Sequence, residues 1–170
     1  KTYGIPTFVI DYKKIIESHK NDPEMAVLPD DFDLDEIFSK QNFFSAKIGI
    51  KKAARYFITR AMAEKELLKK ITKFSVDLLV LAGFMRNLTP YFIDRFNTDP
   101  ENPRIMNIHP ALLPAFPGVD GYGDTFRYGA KVGGCTVHFI DYGEDSGPII
   151  GQRAFAITPE ATLESIRQKG

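Results

Sequence analysis

Three side chains suggest one kind of chemistry: Asn107, His109 and Asp145, an amide, an imidazole and a carboxylate. Asn107 and His109 stand two apart in Arg104-Ile105-Met106-Asn107-Ile108-His109-Pro110, a run that opens as a short apolar strand and stops on a proline. Strand side chains alternate faces, so Asn107 and His109 point one way and Met106 and Ile108 the other. Asn is a poor strand former and His a mediocre one, so the pair on one face at a strand end suggests a site rather than a core. The set suits acyl transfer to an amine without a covalent intermediate. An Asn amide donates to the oxygen of a tetrahedral intermediate. A His donates to that oxyanion or carries a proton, and an Asp beside it holds the ring and favours its charged form.

Other routes find less support. The serine-hydrolase pattern G-x-S-x-G is absent, as are the phosphate-cradling G-x-x-x-x-G-K-[ST] and a G-x-G-x-x-G after a strand. Cys135 sits early in an apolar strand and reads as a core thiol. Imidazole comes only from His19, His109 and His138. His138 points away from Val137 and Phe139, either into the cleft or onto backbone. A zinc site built from His109, His138 and a carboxylate lacks any usual spacing, so no metal is expected. The acidic group Asp30, Asp31, Asp33, Asp35 and Glu36 reads as a solvated helix N-terminus.

The elements that must position these residues follow from pattern. Thr7-Phe8-Val9-Ile10 reads as a strand. Between residues 51 and 71, Ala54, Phe57, Ile58, Ala61, Met62, Leu68 and Ile71 recur at threes and fours, predicting a helix about 30 Å long. The apolar run from Leu78 to Ala82 predicts a parallel strand buried on both faces. Thr89 and Pro90 cap a further helix. The Pro-rich run after His109 is a stiff loop walling a cleft. Cys135 to Ile140 alternates as a strand, residues 141–148 form a tight acidic loop, and residues 149–157 are extended again. Thr158-Pro159-Glu160 opens a last helix. The sum is a mainly parallel α/β sheet, in which Gly83, His109 and loop 141–145 all follow strands and converge on one sheet edge, where ligands sit in such folds.

Composition bounds the partners. The chain has 170 residues with 44% hydrophobic content, enough for one domain with a sizeable core. Lys+Arg and Asp+Glu are 22 each, so no global basic field invites nucleic acid or anionic lipid. The single Cys135 fits a reducing, cytoplasmic setting, and no apolar run is long enough to span a bilayer.

Four runs carry a family resemblance: Leu79-Val80-Leu81-Ala82-Gly83-Phe84-Met85-Arg86; Asn107-Ile108-His109-Pro110-Ala111-Leu112-Leu113-Pro114; Gly134-Cys135-Thr136-Val137-His138-Phe139; and Asp145-Ser146-Gly147-Pro148-Ile149-Ile150. In this order and spacing they resemble the phosphoribosylglycinamide formyltransferase family, within the wider folate-dependent formyl group. The agreement covers residues 76–170. The related deformylases usually carry a second His directly after Asn-x-His, where Pro110 stands here. The methionyl-tRNA formyltransferases usually lack the Gly83-Phe84-Met85-Arg86 run.

The resemblance implies a Rossmann-like, mostly parallel sheet with flanking helices, as one catalytic domain over 1–170 lacking the family's first βαβ unit, its Gly-Ser-Asn phosphate loop and the end of its C-terminal helix. It implies formyl transfer from 10-formyltetrahydrofolate to the amine of glycinamide ribonucleotide in purine biosynthesis, with Asn107, His109 and Asp145 catalytic. Met85, Arg86, Leu88, Asp141, Tyr142, Gly143 and Glu144 would hold the folate. Asn107 and Pro110 would meet the ribonucleotide substrate. It further implies a cis Leu113–Pro114 bond and allows a homodimer. Two segments depart from the family: Asp120 stands where a His is usual, within the altered stretch 119–127, and the stretch 22–52 is longer. A deformylase and a non-catalytic folate-binding domain are the alternative readings.

Overall fold

The computed structural model describes residues 3–21, 28–42 and 49–170. Part of the long 22–52 stretch therefore lies outside the described residues. Two helices come first, α1 (Tyr12–Asn21) and α2 (Leu34–Lys40). The acidic cluster does what the sequence predicts: Asp33 caps α2, its Oδ1 accepting from the Asp35 and Glu36 N–H groups at 2.9 and 3.0 Å. Asp35 and Glu36 fill the first turn and Lys40 the last, matching the helix dipole.

The predicted long helix is α3 (Ile50–Ile71). Its residues are mostly strong helix formers with no Gly or Pro, and its buried stripe includes Ala53, Phe57, Ala61 and Ile71. Phe57 is fully buried and meets the ring of Phe38 edge-on, with centroids 5.3 Å apart. Strand β1 (Leu79–Leu81) then leads through α4 (Pro90–Phe96) to β2 (Ile105–His109). Pro90 opens α4 as expected, but Thr89 at the N-cap makes no side-chain capping bond, because its hydroxyl donates to Glu64 instead. A core of Ile71, Leu81, Leu88, Phe92, Phe96 and Ile105 packs α3 and α4 on one face of these strands.

After β2 come α5 (Gly121–Tyr128), β3 (Val132–Phe139), β4 (Ile149–Ala156) and α6 (Leu163–Lys169). The sheet order is β1-β2-β3-β4. The α/β class is as predicted, but the sheet is mixed rather than mostly parallel. β1 and β2 pair parallel, as their helical crossover requires, while β2–β3 and β3–β4 are antiparallel. The chain leaves β2 at His109 and re-enters β3 beside it, pairing His109 with Thr136, so the connection never returns to the far end of the sheet.

Three local expectations also change. β1 is an edge strand, and Leu78 and Val80 are 47% and 52% exposed on the face away from the core, so the strand is buried on one side only. Thr7–Ile10 forms no strand, because no described strand lies beside it to accept its ladder. The last helix starts at Leu163, not at Thr158, because Thr162 and Ser165 form a reciprocal capping box that fixes the first turn.

Candidate active site

The two antiparallel pairings place the candidate residues. Asn107 lies opposite His138 in the β2–β3 ladder, and His109 opposite Thr136, so all four share a face. The third predicted residue, Asp145, arrives from the loop between β3 and β4. That loop is folded on itself: Asp141 Oδ1 accepts from the Gly143 N–H at 3.0 Å and from the Ser146 hydroxyl at 2.8 Å. Gly147 lies against the Phe139 carbonyl, where a Cβ would collide with the oxygen.

His109, Asp145 and His138 form a line. His109 Nδ1 is 3.2 Å from Asp145 Oδ2, and His138 Nε2 is 3.6 Å from Asp145 Oδ1, an ion-pair separation rather than a hydrogen bond. The Gly118 N–H also donates to Asp145 Oδ2 at 2.8 Å. His109 Nε2 faces the Phe116 carbonyl at 2.8 Å, so both its ring nitrogens look onto oxygen acceptors. His138 Nδ1 faces the Phe139 carbonyl at 2.9 Å, which leaves Nε2 to Asn107 Nδ2 at 3.4 Å and to the carboxylate.

These contacts set the charges. Burial pushes the Asp145 carboxyl up, but His138, the Gly118 N–H and the charge on His109 outweigh it and hold it below the usual carboxylate value. Burial works against a charged His138 ring, yet the Asp145 carboxylate, the Phe139 carbonyl and Asp141 outweigh it and raise its pKa above the ordinary histidine value. Phe116 and Asp145 are the described non-glycine residues with left-handed backbone, at φ 55° and 51°. Both turn an oxygen toward His109.

The Pro-rich run is the fixed wall predicted for it. The Thr136 hydroxyl donates to the Ala111 carbonyl at 2.7 Å and accepts from the Leu113 N–H at 3.0 Å. Gln152 Nε2 donates to the Leu113 carbonyl at 2.8 Å. The Leu113–Pro114 bond is cis, as the resemblance implies. At Gly134 a side chain would strike the Arg153 carbonyl and Leu112, so glycine lets the loop lie flat on the strand.

A cavity of about 560 Å³ opens beside this constellation. Asn107, His109, Pro110 and Asp145 line it, as do Met85, Arg86 and Leu88 on one side and Asp141, Gly143 and Glu144 on another. Tyr142 is the exception among the predicted residues. Its ring packs against the core and its hydroxyl donates to Asp94, away from the cavity. Sequence reasoning missed Tyr56 and Arg60, which reach the cavity from α3. The Arg60 guanidinium stacks on the Tyr56 ring at 4.6 Å, and that of Arg86 on Tyr12 at 4.7 Å. An Arg in a helix that also carries Arg55, Lys and Glu on its polar side gives no signal of this placement. His138 did carry one, since its strand alternation set it apart from Val137 and Phe139.

The arrangement presents an amide, two imidazoles and a carboxylate to one cavity edge, with two guanidinium groups farther along its wall. It can stabilise an oxyanion and relay a proton. Among the described residues, no helix is long and apolar enough to cross a membrane.

Known proteins resemble this chain in sequence and fold. A phosphoribosylglycinamide formyltransferase of Bacillus subtilis strain 168 is 43% identical over 110 residues, 65% of this chain and 54% of that protein. The crystal structure of glycinamide ribonucleotide transformylase 1 from Symbiobacterium toebii superposes with a TM-score of 0.60 at 41% identity, covering 65% of this chain and 50% of that one. The phosphoribosylglycinamide formyltransferase structure from Bacillus halodurans gives a TM-score of 0.59 at 30% identity, covering 93% and 80%. The chain spans about half the length of the curated relatives it matches, 54% and 41% for two of them. The family described as formyl transferase matches residues 2–170, and with the fold and the clustered Asn107, His109 and Asp145 in hand, the chain belongs to the formyl transferase family.

Proposed function

We propose that the protein carrying this chain transfers the formyl group of 10-formyltetrahydrofolate to the amine of glycinamide ribonucleotide, a step of purine biosynthesis. The observation that carries this reading is the meeting of Asn107, His109 and Asp145 at one cavity edge, from segments up to 38 positions apart in sequence. The substrate follows the names of its relatives, phosphoribosylglycinamide formyltransferases, and is part of this proposal.

In this mechanism the substrate amine attacks the formyl carbon. The carbonyl oxygen becomes an oxyanion that the Asn107 amide stabilises, together with the His109 imidazole once its Nε2 turns from the Phe116 carbonyl to the substrate. Asp145, held ionised by its neighbours, keeps the His109 ring oriented and helps take the proton that the attacking nitrogen sheds. The intermediate collapses, the bond from carbon to the folate nitrogen breaks, and that nitrogen regains a proton as tetrahydrofolate leaves. The backbone around Met85, Arg86 and Leu88 and the rim Asp141, Gly143 and Glu144 would hold the pterin. Arg60 and Arg86 would face the carboxylates at the folate tail. Pro110, following His109, would meet the ribonucleotide.

The test is release of tetrahydrofolate by the purified protein with and without the amine acceptor. Release that depends on glycinamide ribonucleotide is expected. Formate release without any amine would instead make the protein a deformylase. Folate binding with no turnover would make it a non-catalytic binder.

A further inference from the structure

We propose that Lys40, Asp94 and Tyr142 form a brace that positions the Asp145 carboxylate against its two imidazoles, with Tyr142 a positioning residue rather than a ligand contact. The argument starts at Asp145 itself. A non-glycine residue at φ 51° persists only where its surroundings over-determine it. On one side the restraint is plain, since the Gly118 N–H and the two rings grip the carboxylate. On the other side the loop must be held from behind.

Tyr142, three residues earlier, is held at both ends. Its carbonyl accepts from the Asn42 N–H at 3.1 Å. Its hydroxyl donates to Asp94 Oδ1, and the other oxygen of that carboxylate accepts from Lys40 Nζ at 2.8 Å. Lys40 in turn reaches Glu36 at 2.6 Å. Burial and the Asp94 contact push the Tyr142 phenol up to about 12, so it stays a donor at any physiological pH. The turn Asp141–Gly143–Ser146 then makes the loop one stiff unit from Tyr142 to Asp145. A side chain at Gly143 would collide with Ser146 and with Asn42, so the loop sits directly on the segment that follows α2. The brace gives a use to part of the long 22–52 stretch: α2 supplies Lys40, and the chain leaving it supplies Asn42.

The kinetic arm of the test rests on the formyl-transfer reading, and the spectroscopic arm does not. In Tyr142→Phe, kcat is expected to fall about tenfold, while the dissociation constant for tetrahydrofolate stays within about twofold because the ring does not line the cavity. The loss should vanish in an Asp145→Asn background. By NMR, the His138 imidazole should titrate at lower pH in Tyr142→Phe than in the wild type, as its carboxylate partner loosens. Unchanged kcat with unchanged His138 titration, or an equal loss in the Asp145→Asn background, would overturn the brace. If Tyr142→Phe does not fold, Lys40→Met, altered at a side chain one-third exposed, must shift the His138 titration in the same direction, and no shift there overturns the proposal. A wild-type protein without formyl transfer would sink the functional reading, and the titration would still decide the brace.

Discussion

His109 Nδ1 and Asp145 Oδ2 lie 3.2 Å apart, with the His109 side chain only 3% exposed. The Asp145 side chain is 14% exposed where it lines the cavity, so the carboxylate is open to a bound substrate while it holds the ring. The contact is also shared, since the same carboxylate faces His138 with its other oxygen.

Asp145→Asn keeps the size and tolerates the left-handed backbone, as Asn does elsewhere. It removes the charge that holds His109. Formyl-transfer kcat should fall by about 10²–10⁴, with a modest drop in thermal stability near neutral pH, where the depressed carboxyl contributes to folding. Steady-state rates beside a melting curve check both halves of that statement.

Asn107→Ala deletes the neutral donor at the cavity edge. A loss of about 10²–10³ in kcat, or roughly 3 kcal/mol, is the expected size for one oxyanion donor. Single-turnover rates should drop while folate affinity holds. An equal drop in affinity would mean that Asn107 binds ground state and transition state alike.

His138→Gln leaves Asp145 with one imidazole. The carboxyl, now held below its ordinary value of 3.8, should rise. The acid limb of the kcat/KM profile should then move to higher pH. The depressed carboxyl also contributes stability above its ordinary value, and that contribution is lost as pH falls through the folded value. His138→Gln should therefore reduce the pH dependence of stability on the acid side, measurable by urea unfolding.

Glu64 predicts the opposite slope. It is fully buried on α3, and its Oε1 accepts from the Thr89 N–H at 2.9 Å. Burial pushes it up to about 8, against the pull of the Thr89 contacts and Arg60. A carboxyl raised in the folded state favours folding below its unfolded value and loses that advantage as pH rises through the folded value. Stability should decline between about pH 5 and 8, by up to ~1.4 kcal/mol per unit. Glu64→Gln should flatten the decline, and denaturant midpoints across that range provide the measurement.

What the sequence could convey depended on how local the cause was. Asn107 and His109 were readable because two poor strand formers on one face of an apolar run are anomalous within five residues. The acidic start of α2 and the Pro90 start of α4 were readable for the same reason, each being settled by its own turn. His138 was only half readable, because its role comes from lying opposite Asn107, and an antiparallel ladder is not written in either strand alone. The mixed sheet escaped for that reason too. The open side of Val80 escaped because an apolar run looks the same in a central strand and at an edge. Tyr142 was placed at the folate by the family resemblance, while its ring follows the core and Asp94.

The left-handed turns at Phe116 and Asp145 carry a last consequence. Each holds its oxygen against His109 in a conformation that glycine would enter freely and other residues resist by on the order of 1 kcal/mol. Phe116→Gly would relieve that cost while slackening the grip on the ring, because its oxygen is a backbone carbonyl, whereas glycine at Asp145 would delete the carboxylate itself. At these two turns the fold gives up robustness to fix where one ring points.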